Sequence, residues 1–202
     1  GPPVALPEGW RAAAREANAL FASGYTLHEQ RLADAALKVM ALAQENDVPV
    51  FFDPGPEMVN ATAEQRAAVL RASTAILLTE EEIPLLAGGR EGPAAARGLL
   101  AGGPALVCVK RGARGCAIFT AKEDVESSGY PVTVRDTSAA GDSFDAAFIY
   151  AYLRSWSLAD MAAFANAVGA AKVQKIGSGR QVPTADEVRA VLKKYGVLLD
   201  FP

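Results

Sequence analysis

Short apolar runs alternate with longer segments of helical spacing, and this alternation narrows the fold of the chain more than any other feature. Residues 20–23, 48–52, 75–78, 105–109 and 116–119 are compact and strand-like, and residues 132–134 form a shorter run of the same kind. Between them, residues 32–45 place Leu32, Ala36, Val39, Met40 and Ala43 on one helical face. Residues 63–71, 81–86 and 93–100 also read as helices. Gly24, the Asp53-Pro54-Gly55-Pro56 run and Gly102-Gly103-Pro104 punctuate these segments, because proline and glycine interrupt both ladders and helices. Strands alternating with helices imply an α/β fold with a mainly parallel sheet covered on both faces. Two long helices, residues 142–154 and 158–175, and a last one near 185–195 crowd the C-terminal end, with Ser157 placed to cap the second. The Gly/Ala/Pro-rich segment 87–104 is expected to be a mobile connection.

A chain of 202 residues suffices for one sizeable α/β domain and is too short for two. Half of its residues are hydrophobic, yet no uninterrupted apolar run is long enough to span a membrane. A net charge of −3 argues against a large nucleic-acid footprint. Cys108 and Cys116 lie in apolar runs without metal-type spacing and read as buried free thiols, which fits a reducing, cytoplasmic location. His28 is the one histidine, so neither a His-dependent triad nor a zinc site has material to be built from. Gly1-Pro2 matches what a protease leaves after removing a purification tag.

The chemistry concentrates in Asp136-Thr137-Ser138-Ala139-Ala140-Gly141-Asp142-Ser143-Phe144. Phe144, Phe148, Ala151 and Tyr152 continue it at helical spacing, so Ala139 to Asp142 should form the first turn of a helix. Backbone N–H groups there lack intrahelical partners and face outward at the positive end of the dipole. Small side chains let an anion come close to them. A carboxylate beside an anion would repel it, unless its task is to take a proton from the nucleophile that attacks the anion. An ordinary Asp cap after a small-residue turn is the bland alternative.

This stretch resembles the D-T-x-[AG]-A-G-D-x-F signature of the ribokinase-like (PfkB) family of sugar and nucleoside kinases. The resemblance implies a ribokinase-like three-layer sandwich over residues 1–202. It also implies ATP-dependent phosphorylation of a hydroxymethyl group on a sugar or sugar-like molecule. Asp142 would be the base, with Ala139, Ala140 and Gly141 forming the anion hole. The match falls on the later part of a family member. The chain is therefore expected to be a C-terminal, nucleotide-binding portion without the first strands, the sugar-binding Gly-Gly motif and the β lid, and to be inactive alone. A non-catalytic family member serving as a nucleotide-binding or assembly module is the alternative. The implied partners are a small-molecule sugar or nucleoside, with neither nucleic acid nor membrane, and a homodimer of the full-length protein.

Further segments take roles from the same resemblance. Val109-Lys110-Arg111-Gly112-Ala113-Arg114-Gly115 is similar to the family's V-x-x-G-x-x-G segment, so Lys110, Arg111, Gly112 and Gly115 would line the ATP site. Any β-hairpin can carry such a turn. Leu78-Thr79-Glu80-Glu81-Glu82 is similar to N-x-x-E, whose glutamate orders the water shell of Mg²⁺; Glu82 matches, and Thr79 replaces the asparagine beside the nucleotide. One carboxylate is enough for a Mg²⁺ that keeps its waters. Asp136, Ser138 and the carbonyls of Val173 and Gly177 would hold K⁺ in members that need it. Asn166 falls where the family has A-N-A on the helix passing the adenine. Asp53 resembles the start of D-P-N-x-R, although Pro56 stands where the arginine belongs.

Overall fold

The computed structural model describes residues 5–202, so the reading of Gly1-Pro2 lies outside the described residues. Six strands are hydrogen-bonded in the order β1-β2-β3-β4-β5-β6: Leu20–Ser23, Val50–Asp53, Ala75–Thr79, Leu106–Lys110, Cys116–Thr120 and Asp124–Ser127. β1 runs parallel to β2 and β2 to β3. β4, β5 and β6 follow one another through turns too short for a parallel crossover. The chain divides into two compact units, one running to Val109 and including Phe119–Glu123, the other made of Lys110–Ile118 and Asp124–Pro202.

The first unit holds helices α1 (Glu8–Glu16), α2 (Gln30–Gln44), α3 (Ala63–Ala72), α4 (Ile83–Leu86) and α5 (Gly92–Gly98). In β2, Val50, Phe51 and Phe52 are fully buried, and so are Ala75 to Leu78 in β3, as continuous apolar runs require in a strand covered on both faces. Register is fixed outside the strands as well: the Thr74 hydroxyl accepts the Val50 N–H at 3.0 Å, and the Val50 carbonyl accepts the Thr74 N–H at 2.8 Å. α3 opens with a capping box, Thr62 N–H to Gln65 at 2.8 Å and Gln65 N–H to Thr62 at 3.1 Å. Gly24, directly after β1, admits no side chain, because a Cβ there would lie 1.6 Å from the Pro54 carbonyl oxygen. His28 is exposed and pairs with Glu57 at 2.8 Å.

Several expectations need correction. The segment 87–104 is no loose connection: it forms α5 and a 3₁₀ turn, Leu99–Gly102, with Ala95, Ala96 and Leu99 buried. α2 buries Met40 and Ala43 as expected, while Leu32 is 52% exposed and its neighbour Ala33 is buried instead. α1 has no counterpart in the sequence reading.

The second unit contributes β6 and helices α6 (Ala140–Leu153), α7 (Leu158–Lys172) and α8 (Ala185–Lys194). Residues 132–134 are irregular, and the strand lies at Asp124–Ser127 instead. β6 alternates exposed and half-buried residues and has no apolar run to announce it, whereas Val134 is exposed despite its β-branched side chain. α6 packs on α7, and Phe144, Phe148 and Ala151 of α6 are buried, as are Ala162, Ala165 and Ala167 of α7. Phe164 meets Tyr150, Trp156 and Phe201 at centroid distances of 5.7, 5.3 and 4.8 Å. Ser157 caps α7 by accepting the Asp160 N–H at 3.1 Å. Cys108 and Cys116 are buried and not joined in a disulfide.

Candidate active site

The start of α6 departs from an ordinary capped helix. Ala139, its N-cap, adopts a left-handed conformation with φ 57° and ψ 20°. A non-glycine residue held there carries strain of roughly 1–2 kcal/mol. The strain turns the chain sharply into the helix, and the Ala139 carbonyl accepts both the Ser143 N–H at 3.0 Å and the Ser143 hydroxyl at 2.8 Å. The Ala140 N–H donates to Thr137 at 3.1 Å. The N–H groups of Gly141 and Asp142 have no acceptor among the described residues, and both residues are exposed. Two adjacent amides, at the positive end of a fourteen-residue helix, therefore face outward beside the Asp142 carboxylate.

Below this turn lies an ion pair. Lys110, the last residue of β4, places Nζ 3.1 and 3.0 Å from the two carboxylate oxygens of Asp145. The side chains are 9% and 1% exposed, so both charges are withdrawn from water. A Cβ built on Gly141 would stand 3.8 Å from that Nζ, which puts the ammonium against the first turn of α6. Lys110 thus ties the strand end to the helix three residues beyond Asp142. The family resemblance assigns Lys110 to the nucleotide and gives Asp145 no role. The available signal was a carboxylate between Phe144 and Phe148 on the apolar face of α6.

The glycine turn after β4 closes on itself, with Arg111 N–H to Gly115 at 2.7 Å and Gly115 N–H to Gly112 at 3.0 Å. Gly115 (φ 89°) admits no side chain, because a Cβ would meet the Ser127 carbonyl oxygen at 2.0 Å. Gly112 also has a positive φ, 56°, but a Cβ there would meet nothing within 4 Å. The Arg111 guanidinium bends back to the Cys116 carbonyl at 3.0 Å and to Glu126 at 3.4 Å. Asn166 is buried in mid-α7; its amide donates to the Ser127 hydroxyl at 3.1 Å and faces the Ser127 and Ser128 carbonyls at 3.3 and 3.4 Å. That network accounts for a poor helix former at this position. One turn on, Gly169 has open space where a Cβ would be.

Asp136 precedes the α6 turn. One of its oxygens accepts the Ser138 N–H at 2.9 Å and the other the Gly177 N–H at 2.7 Å. These N–H groups, aided by the Ser138 hydroxyl and the Lys172 ammonium, hold its carboxyl down to about 2. The Val173 carbonyl accepts the N–H groups of Arg135 and Asp136 at 2.8 and 3.2 Å, and the Gly177 carbonyl accepts Lys172 Nζ at 2.8 Å. The Asp136, Val173 and Gly177 oxygens that the resemblance gives to K⁺ thus accept hydrogen bonds within the chain, and the Lys172 ammonium lies against one of them.

In the first unit, the Glu82 carboxylate accepts the Thr79 N–H at 2.7 Å at the end of β3. Asp53 accepts the Gly55 N–H at 3.1 Å in a turn of the type its sequence suggests. No group of three or more His, Cys, Asp or Glu side chains among the described residues could hold a metal ion. A Mg²⁺ carried in by nucleotide phosphates needs only one or two carboxylates.

The profile of the pfkB family of carbohydrate kinases matches residues 5–185. The chain belongs to the pfkB family. It is 29% identical over 186 residues to a 5-dehydro-2-deoxygluconokinase of Listeria monocytogenes, covering 88% of this chain and 57% of that protein. It is 30% identical over 193 residues to a 5-dehydro-2-deoxygluconokinase of Shouchella clausii, covering 91% and 59%. Among solved structures it is similar to an E. coli protein assigned as ribokinase II, in complex with ATP and Mg²⁺. The TM-score is 0.82 at 26% identity, over 91% of this chain and 61% of that one. An Arabidopsis thaliana ribokinase with ribose and ATP shares the fold, with a TM-score of 0.78 at 24% identity, over 95% and 61%. This pfkB-family chain therefore spans about three fifths of the length of the proteins it matches. Its α/β fold is ribokinase-like. No helix among the described residues is long and apolar enough to cross a membrane.

Proposed function

We propose that the protein containing these residues transfers the γ-phosphoryl group of ATP to a hydroxymethyl group of a sugar or sugar acid. The observation that carries the proposal is the start of α6, where two outward amides stand beside an exposed carboxylate in a family of carbohydrate kinases. Asp142 takes the proton of the substrate hydroxyl as its oxygen attacks the γ-phosphorus. The bond from that phosphorus to the bridging oxygen breaks, and ADP leaves. The N–H groups of Gly141 and Asp142, with Ala140 behind them, stabilise charge on the transferring group. Mg²⁺, when bound with the nucleotide, neutralises phosphate charge, and Glu82 is the residue we assign to its water shell. The glycine turn at Gly112 and Gly115 and the open side of α7 at Gly169, near Asn166, are assigned to the nucleotide. Lys110 acts through Asp145 on the position of the turn.

The relatives' name makes 5-dehydro-2-deoxygluconate the first acceptor to try. Because the chain covers 57% of such a relative, the 202 residues alone are expected to bind nucleotide with little turnover. The test is ADP release by the full-length protein with ATP, Mg²⁺ and this acceptor, then with a panel of hexoses, pentoses and nucleosides. We expect release that depends on an acceptor bearing a hydroxymethyl group. Nucleotide binding with no acceptor-dependent release across the panel would leave the binding-module reading in its place.

A further inference from the structure

The end of α7 carries a buried charge that the transfer chemistry does not use. Lys172 has no exposed surface, although it follows the apolar Ala170-Ala171 pair in a helix packed on α6. An ammonium is costly to bury unless it meets an acceptor and an opposite charge. Its Nζ donates to the Gly177 carbonyl at 2.8 Å, and the N–H of the same residue donates to Asp136 at 2.7 Å. The charge of Lys172 also reaches Asp136 and favours the ionised carboxylate. Gly177 has φ 90°, a conformation glycine adopts freely, so the loop can present its carbonyl to the lysine and its N–H to the aspartate.

A monovalent ion bound by Asp136 and the 173–177 carbonyls would need these same oxygens. Both oxygens of Asp136 accept backbone N–H groups, the Val173 carbonyl accepts two, and the Gly177 carbonyl holds the ammonium. A metal ion added there would also face the fixed positive charge of Lys172, whose ammonium already donates to the Gly177 carbonyl.

We propose that Lys172 is a tethered cation: its ammonium does the work of a monovalent metal ion, joining the Gly177 loop to the Asp136–Ser138 turn that leads into Ala139. The protein then needs no K⁺. Lys172 is a positioning residue, because it acts on the α6 turn through Gly177 and Asp136. Its relevance to phosphoryl transfer rests on the function proposed above; the structural role can be tested without turnover.

The test is thermal unfolding of the 202-residue protein in KCl, NaCl, LiCl and choline chloride at equal ionic strength, for the wild type, Lys172→Ala and Lys172→Met. The wild type should unfold at the same temperature in all four salts. Lys172→Ala should unfold about 5 °C or more lower in LiCl and choline chloride. KCl, or ammonium chloride as a probe of the same charge, should restore part of that loss in a saturable way. A saturable, K⁺-specific rise in the wild type would overturn the proposal, and this arm decides the matter even if neither variant folds. Variants that fold and lose stability with no ion-specific recovery would also overturn it, because Lys172 would then be no more than a packing residue. Failure of the kinase reading has a separate signature, the absence of acceptor-dependent ADP release in every salt.

Discussion

Glu82 and Asp142 each stand in the first turn after a strand or loop, each preceded by a small or polar residue, yet the two turns are built differently. At the end of β3, Thr79 has extended backbone and its N–H is held by Glu82 at 2.7 Å. The carboxylate there closes on its own chain, as local capping chemistry prescribes. At the start of α6, Ala139 is left-handed, its side chain caps nothing, and Asp142 is exposed beside unpaired amides. The same residue class yields a cap in one place and an exposed carboxylate in the other. The difference lies in what holds the turn: a reciprocal capping box at Glu82, a buried ion pair and a strained backbone at Asp142.

The comparison can be broken most forcefully at that ion pair. Removing one partner of Lys110–Asp145 leaves the other charge buried, so Lys110→Met or Asp145→Leu alone should cost about 3–5 kcal/mol in denaturant unfolding. Lys110→Met with Asp145→Leu should recover most of the loss. Single variants as stable as the wild type would mean that the pair does not hold the start of α6.

A smaller effect is expected at the self-capped turn. Glu82→Ala should cost ~0.5–2 kcal/mol, in the range of a lost cap, as read by thermal unfolding. A much larger loss would show that Glu82 is held by more than its own turn. The smallest effect should come from the strained residue. Ala139→Gly removes the left-handed penalty but adds freedom to the unfolded chain, so a net gain of about 0.5–1 kcal/mol is expected by the same measurement. A loss of stability would mean that the Ala139 methyl is used in packing.

Much of this arrangement is legible in the sequence, for reasons that differ from residue to residue. Apolar runs such as Val50 to Phe52 and Ala75 to Leu78 announce buried strands, because few other structures bury every side chain of a short run. The Asp136 to Phe144 signature marks the α6 turn through small residues and one acid. β6 is not announced, because its half-exposed alternation of polar residues gives no apolar signal and neighbouring chain supplies the order. Asp145 and Lys172 are not legible in the sequence, because a charged residue ordinarily marks surface. Their meaning comes from partners 35 and 5 residues away, Lys110 and the Gly177 carbonyl. At the start of α2 Ala33 is buried and Leu32 exposed; the two are adjacent, and spacing alone does not choose between them.

The central claim is that Asp142, and not the acid of the self-capped turn, removes the proton in phosphoryl transfer. Single-turnover transfer by the full-length protein, with Asp142→Asn and Glu82→Gln measured side by side at saturating ATP, tests it most directly. Loss of a general base should slow Asp142→Asn by ~10²–10⁴-fold while its affinity for ATP is kept. Glu82→Gln should lose less and regain rate as Mg²⁺ is raised. A near wild-type rate for Asp142→Asn would contradict the account.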